Sequence, residues 1–180
     1  MTATARYGLD AAPAELRLTQ ELLNTTATNR CPDWDLLSSM DTARAWFGGL
    51  PGAPELSYDD LFDLLELRDS VRRLVNGEPA TLVGTVEIRV DAESAVAVAV
   101  PAGAAWLQSA IAAECLLARA TGIWPRLKVC RNDGCPVAFY DYSRNGGRVW
   151  CDVSTCGNVA NVRAHRARND NVRAADQPFG

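Results

Sequence analysis

Cys130-x4-Cys135 and Cys151-x4-Cys156 repeat one spacing, with fifteen residues between the two pairs. That interval holds Val137 to Tyr142, Ser143 to Gly147, and Arg148 to Trp150. Asn145-Gly146 is a strong two-residue turn, because both positions tolerate positive φ. A hairpin turning there brings its ends together, so the pair before it and the pair after it converge as four thiolates. Three outcomes are open to such a set: one tetrahedral zinc, an iron–sulfur centre, or two disulfides. Reduced thiols in a cytosolic chain favour the metal over disulfides. Four protein ligands close the coordination sphere, so one structural zinc per chain is expected on Cys130, Cys135, Cys151 and Cys156. The single histidine, His165, is not needed as a ligand and has no nucleophile beside it, so no catalytic residue is assigned. Cys31 and Cys115 remain, and are expected to be ordinary thiols.

The segment after Cys156 is basic. Residues 1–125 carry 9 basic and 17 acidic groups, whereas residues 126–180 carry 9 basic and 5 acidic. Ser154 or Thr155 can cap a helix over 158–169, where Arg163 and Arg166 share a face. With Arg144 and Arg148 on the hairpin and Arg168 further round, this forms a candidate nucleic-acid surface. The plainer alternative is a solvated basic face. Lys128 is the only lysine.

The elements that must position these residues follow from periodicity. A helix from about Ala14 ends at Asn24-Thr25-Thr26, whose short polar side chains compete with helical backbone. Asp41 is expected to cap a short helix through Phe47, stopped by Gly48-Gly49. Ser57 to Asn76 is the clearest helix, with Ser57 and Asp60 resembling a capping box and Gly77 as its stop. Its apolar stripe is Leu61, Leu64, Leu65, Val71, Leu74 and Val75; Arg68 and Arg72 border it, either snorkelling or forming an anion-binding pair. Thr85–Val90 and Ala95–Val100 alternate across a polar turn and predict a β-hairpin. Ala104–Thr121 is apolar nearly all round, as a central core helix is.

After Pro125 the composition shifts to Cys, Arg, Asn and Gly, in a piece too short to bury a core without a staple. The expected architecture is therefore α+β: a mainly α domain with a β-hairpin over 1–125, then a treble-clef or ribbon-like finger over 126–180 with a frayed tail. At 48% apolar and 22% charged residues the chain is globular in composition. It has no apolar run of about 18 residues for a membrane span. Residues 1–10 lack the apolar stretch of a secretory signal.

The finger segment resembles the CGNR zinc finger through Asp141-Tyr-Ser-Arg-Asn145, Trp150-Cys151, Cys156-Gly157-Asn158 and the basic run Arg163 to Arg168. The segment before it is similar to the ABATE domain, through Glu21-Leu-Leu-Asn24-Thr25 and the order of elements. The resemblance spans about residues 16–169. It implies a bacterial, cytoplasmic, stress-induced transcription regulator that binds DNA through Arg144, Arg148, Arg163, Arg166 and Arg168. Two departures stand out: Val159 occupies the fourth position of the Cys-Gly-Asn-Arg motif, and the stretch from Gly77 to Gly84 is short.

The aromatic residues of the first domain open a second possibility, a small-molecule pocket in a sensor or a biosynthetic enzyme. Asn24 and Thr25, which have motif support, and Trp46 and Trp106 are its candidate lining. Asp33, Asp35, Asp41, Glu66 or Glu114 could supply a polar anchor. Packing of the same aromatics in an ordinary core is the alternative.

Overall fold

A computed structural model describes residues 2–28, 35–90 and 92–163. Cys31, His165, Arg166 and Arg168 lie outside the described residues. The helices are α1 (Arg17–Leu23), α2 (Met40–Phe47), α3 (Asp60–Val75) and α4 (Gly103–Ala120). Among the described residues two antiparallel pairs accompany them: β1 (Val86–Val90) with β2 (Ala95–Ala99), and β3 (Leu127–Val129) with β4 (Ala138–Tyr140). Among the described residues no helix is long and apolar enough to cross a membrane.

Helix α1 is short but central, and Thr19 to Leu23 are all buried. A buried helix start must satisfy its free N–H groups. Glu114 of α4 does this: its carboxylate accepts from Leu18 N and Thr19 N at 2.8 Å each, and from the Thr19 hydroxyl at 2.6 Å. Burial pushes the Glu114 carboxyl up, and these three donors pull it back toward ionisation. As a candidate pocket anchor Glu114 is thus corrected to a helix cap in the core. For α2 the cap is Ser39, whose Oγ accepts from Thr42 N at 3.3 Å, rather than Asp41. Asp41 lies inside the first turn, where its charge still suits the helix N-terminus.

Asp60, the first residue of α3, ties the segment before its own helix to the start of α4. Asp60 Oδ2 accepts from Ser57 N and Oγ, at 2.5 and 2.7 Å, while Oδ1 accepts from Ala104 N at 2.7 Å, at the start of α4. Gly103 has φ +57°, and a Cβ there would lie 2.4 Å from Asp60 Oδ1, so the junction requires glycine. The buried stripe of α3 is Leu64, Leu67 and Val71. Leu67 replaces Leu65, which faces solvent, as i, i+3, i+7 spacing from Leu64 demands.

Arg68 and Arg72 neither snorkel nor form an anion pair. Arg68 Nη1 donates to Thr25 Oγ1 at 2.9 Å and pairs with Asp35 at 2.7 Å. Arg72 donates to Pro136 O at 2.6 Å, Thr26 Oγ1 at 3.0 Å and Leu23 O at 3.2 Å. The two arginines therefore clamp the polar end of α1, and Arg72 also clamps the loop that carries the first cysteine pair.

Helix α4 buries Leu107, Ile111, Cys115 and Ala118, but Leu116 and Leu117 on its other side remain exposed beneath the β1–β2 hairpin. Burial raises the Cys115 thiol to about 11, consistent with an inert core cysteine. The main core joins α1, α2, α3 and α4 and includes Ala138 of β4. A second cluster surrounds three of the four paired cysteines with Tyr7, Val137 and Phe139. A third packs Leu127 and Tyr140 against Leu16 and Ala118. The strands of the finger are thereby built into the helical part by their side chains.

Candidate metal centre

The first cysteine pair sits in the loop between β3 and β4. Leu127, Lys128 and Val129 pair with Tyr140, Phe139 and Ala138, and Cys130 N continues the ladder to Val137 O at 2.9 Å. Cys135 N then closes a turn onto Asn132 O at 2.9 Å, with Gly134 at φ +77°. This corrects the expected hairpin. Residues 138–140 pair backward with 127–129, not forward across Asn145-Gly146. That dipeptide does form a turn, with Gly146 N bonded to Ser143 O at 3.2 Å. Beyond it, Arg131 N to Val149 O, at 3.0 Å, brings the chain to Cys151.

Cys156 lies in a widened turn, Val153–Gly157, that runs into helical residues 158–163. Asp152 caps this turn by accepting from Thr155 N at 2.9 Å and from Ser154 Oγ at 2.7 Å. The cap is thus Asp152, not Ser154 or Thr155. Trp150 covers the turn so closely that a Cβ on Gly157 would come within 3.1 Å of its ring.

All four Sγ atoms lie within 4.8 Å of one another. Cys135–Cys151 and Cys151–Cys156 are separated by 3.7 and 3.6 Å. A tetrahedron with Zn–S arms of about 2.3 Å has edges of about 3.8 Å, so the cradle fits a single zinc ion. A disulfide would need about 2.05 Å, and the described cysteines form none. Cys151 N also donates to Cys130 Sγ at 3.4 Å, a bond that favours thiolate. Cys130, Cys151 and Cys156 are buried. A hydrogen bond from Cys151 draws Cys135 down to about 5, whereas Cys135 and burial push Cys151 far up and burial pushes Cys130 up. Such crowded sulfurs ionise together only around a cation, and zinc with four cysteine ligands is the structural metal of this protein.

Around the centre, three basic residues, Arg126, Lys128 and Arg148, turn inward. Lys128 Nζ donates to Asp141 at 2.7 Å and to the carbonyls of Gly146 and Arg148 at 2.5 and 3.0 Å. Arg126 Nη1 donates to Asp141 O and Ser143 O, each at 2.8 Å. Arg148 donates from Nε to Trp150 O at 2.8 Å and from Nη2 to Cys151 O, and its guanidinium lies 4.8 Å from the Phe139 ring centre. Arg148, expected on a DNA surface, is therefore bound to the backbone beside the metal. Arg144 is exposed, as is Arg163, whose Nη1 donates to Asn132 Oδ1 at 3.4 Å.

Sequence reasoning missed Lys128 and Asp141 as a pair. The signal available was one lysine in an otherwise all-arginine chain. Asp141 is fully buried and also accepts from Ser143 N and Arg148 N at 2.9 and 2.8 Å. Burial alone would raise its carboxyl, but Lys128 and the N–H donors outweigh burial and hold it well below the carboxylate range. A depressed folded pKa stabilises above the unfolded value, about 3.9, and that stability is lost as pH falls through the folded value. Asp141→Asn is expected to cost about 3 kcal/mol at pH 7, the scale of a broken buried pair. Denaturant melts at stepped pH check this: the gap to wild type should hold down to about pH 4 and close below it.

The four candidate pocket residues are not brought together. Asn24 is buried and bonded through both ends of its amide to Ala138, and Thr25 donates to Leu22 O at 2.7 Å and accepts from Arg68. Trp106 packs edge-on against Phe47, at 5.7 Å between ring centres. Trp46 borders a cavity of about 560 Å³, which Glu21, Leu36, Thr42 and Leu50 also line. Its Nε1 is buried without a hydrogen-bond partner among the described residues. Most of these aromatic and polar groups are thus consumed by the core, where neighbouring helices satisfy them.

Residues 16–128 match the family model ABATE, described as "Putative stress-induced transcription regulator", and residues 126–169 match the CGNR zinc finger model. No curated protein matches the chain.

Proposed function

We propose, from the premise that the chain belongs to the ABATE family and carries its CGNR zinc finger, that it is a DNA-binding transcription regulator whose zinc is structural. In this reading residues 1–125 form a sensing part and residues 126–180 the DNA-contacting part. The observation that carries it is the sorting of the basic residues. Arg126, Lys128 and Arg148 are spent inside the finger, and Arg131, Arg144 and Arg163 are left at its surface. Phosphate contacts of this kind supply affinity, and groove contacts from the helix that begins at 158 supply sequence choice. Arg166 and Arg168 follow Arg163 in sequence, lie outside the described residues, and are included in this proposal as further DNA contacts.

The test is binding of the full-length zinc protein to a mixed pool of genomic fragments at stepped salt. Each phosphate contact removed should flatten the slope of log K against log salt by about 0.9. Arg144→Ala and Arg163→Ala are expected to do so while leaving the melting temperature unchanged. Salt-insensitive binding, or none, would remove DNA from the function.

A ligand-responsive helical part has its own support in Trp46 Nε1, unpartnered among the described residues, at the cavity of about 560 Å³. Glu21 lines that cavity and sits one turn before Asn24, which grips β4 of the finger. A small molecule with an acceptor for Trp46 would therefore act on the helix that holds the finger.

A further inference from the structure

The β1–β2 hairpin is an unusual piece of surface. A two-stranded sheet is marginal in water unless further strands or a packed face support it. Here Ile88 is 71% exposed, Val90 72% and Leu116 of α4, beneath the hairpin, 69%. An apolar cleft of about 410 Å³ separates Val86, Ile88 and Ala97 from Ala113, Leu116 and Leu117.

The outer edge of β1 is unpaired among the described residues. Val100 N donates to Thr85 O at 3.3 Å, which makes 85 and 100 a hydrogen-bonded pair. Bonded and non-bonded pairs alternate along an antiparallel ladder. Residues 87 and 89 therefore bond to β2, and Val86, Ile88 and Val90 turn their N–H and C=O groups outward. Exposed edges usually carry charges that repel a second strand. This one carries Glu87 and Arg89, of opposite sign, paired at 2.8 Å.

We infer that β1 joins β1 of a second copy of this chain, antiparallel about a twofold axis through Ile88, to form a four-stranded sheet across a homodimer. The charges select that register. Centred on Glu87 or on Arg89, the pairing sets like charges opposite each other. Centred on Ile88, it sets Glu87 opposite the partner's Arg89 twice, Ile88 opposite its own copy, and Val86 opposite Val90. All the outward backbone groups then find partners, and a twofold interface needs only this one self-complementary strand.

The experiment is sedimentation velocity of the full-length zinc protein from about 1 to about 100 μM, a range that spans ordinary dimer affinities. Wild type should be dimeric. Glu87→Arg and Arg89→Glu should each weaken the dimer at least about tenfold, since like charges directly opposite are destabilising. The double exchange, Glu87→Arg with Arg89→Glu, should restore it. Both side chains are exposed, so the single variants should keep the wild-type circular dichroism. A monomeric wild type overturns the inference; if that monomer binds 1-anilinonaphthalene-8-sulfonate and Leu116→Asp abolishes binding, the cleft is a ligand site instead. A dimer indifferent to the exchanges also overturns it, by placing the interface elsewhere.

Discussion

Cys151→Ser is expected to reduce bound zinc from one ion per chain to nearly none, and to lower the melting temperature by about 10–20 °C. The first effect follows from the closed ligand set, in which Cys151 Sγ lies within 3.7 Å of two other sulfurs and serine offers no thiolate. The size of the second follows from two magnitudes. Structural zinc contributes about 10–16 kcal/mol in finger peptides, whereas whole domains are stable by about 5–15 kcal/mol. A net loss of about 5 kcal/mol corresponds to that shift at this chain length. The damage should not stay local. Val137 and Phe139 share a cluster with Tyr7, and Leu127 and Tyr140 share one with Leu16 and Ala118. Metal analysis and calorimetry on the same samples check it, and a chelator on wild type should reproduce the variant, reversibly on adding zinc back. Iron in place of zinc, or a full zinc content with an unchanged melt, would refute the assignment.

The metal ligands were legible because both signals are local: a repeated cysteine spacing and a Gly-containing turn. The partner of β4 was not. Alternation marks Val137–Tyr140 as strand but does not say on which side its partner lies, and Leu-Lys-Val at 127–129 is too short to stand out. Arg68 and Arg72 show the same limit. Their four-residue spacing fixes a shared helix face, whereas their partners lie 33 to 64 residues away in sequence. Ser39 and Asp41 are both good caps, and only the register of α2 separates them. Glu114 is the sharpest case. An acid inside an apolar helix looks like a ligand anchor until the bare N-terminus of α1, some 95 residues earlier, is set beside it.

Asn24→Ala is expected to destabilise the protein by about 3–5 kcal/mol, and thus the melting temperature by about 10 °C, while zinc stays at one per chain. Asn24 is fully buried at the end of α1. Its Nδ2 donates to Ala138 O at 2.9 Å, and Oδ1 accepts from Ala138 N at 2.9 Å. The carboxamide thus pairs with β4 as an extra strand would, and this two-way pairing fixes which end of the amide is which. Removing it strands a buried N–H and a buried C=O, each costing about 1–3 kcal/mol, in addition to the contact with Thr4 Oγ1 at 3.3 Å. Asn24→Asp keeps the acceptor but turns a second acceptor toward Ala138 O, so it should recover little. A ligand-binding role for Asn24 predicts the reverse pattern: an unshifted melt with lost ligand affinity. The Asn24-Thr25 pair, through which this segment resembles the ABATE domain, then has a physical meaning. Asn24 fastens the helical part to the finger strand, and Thr25 receives the Arg68 clamp beside it.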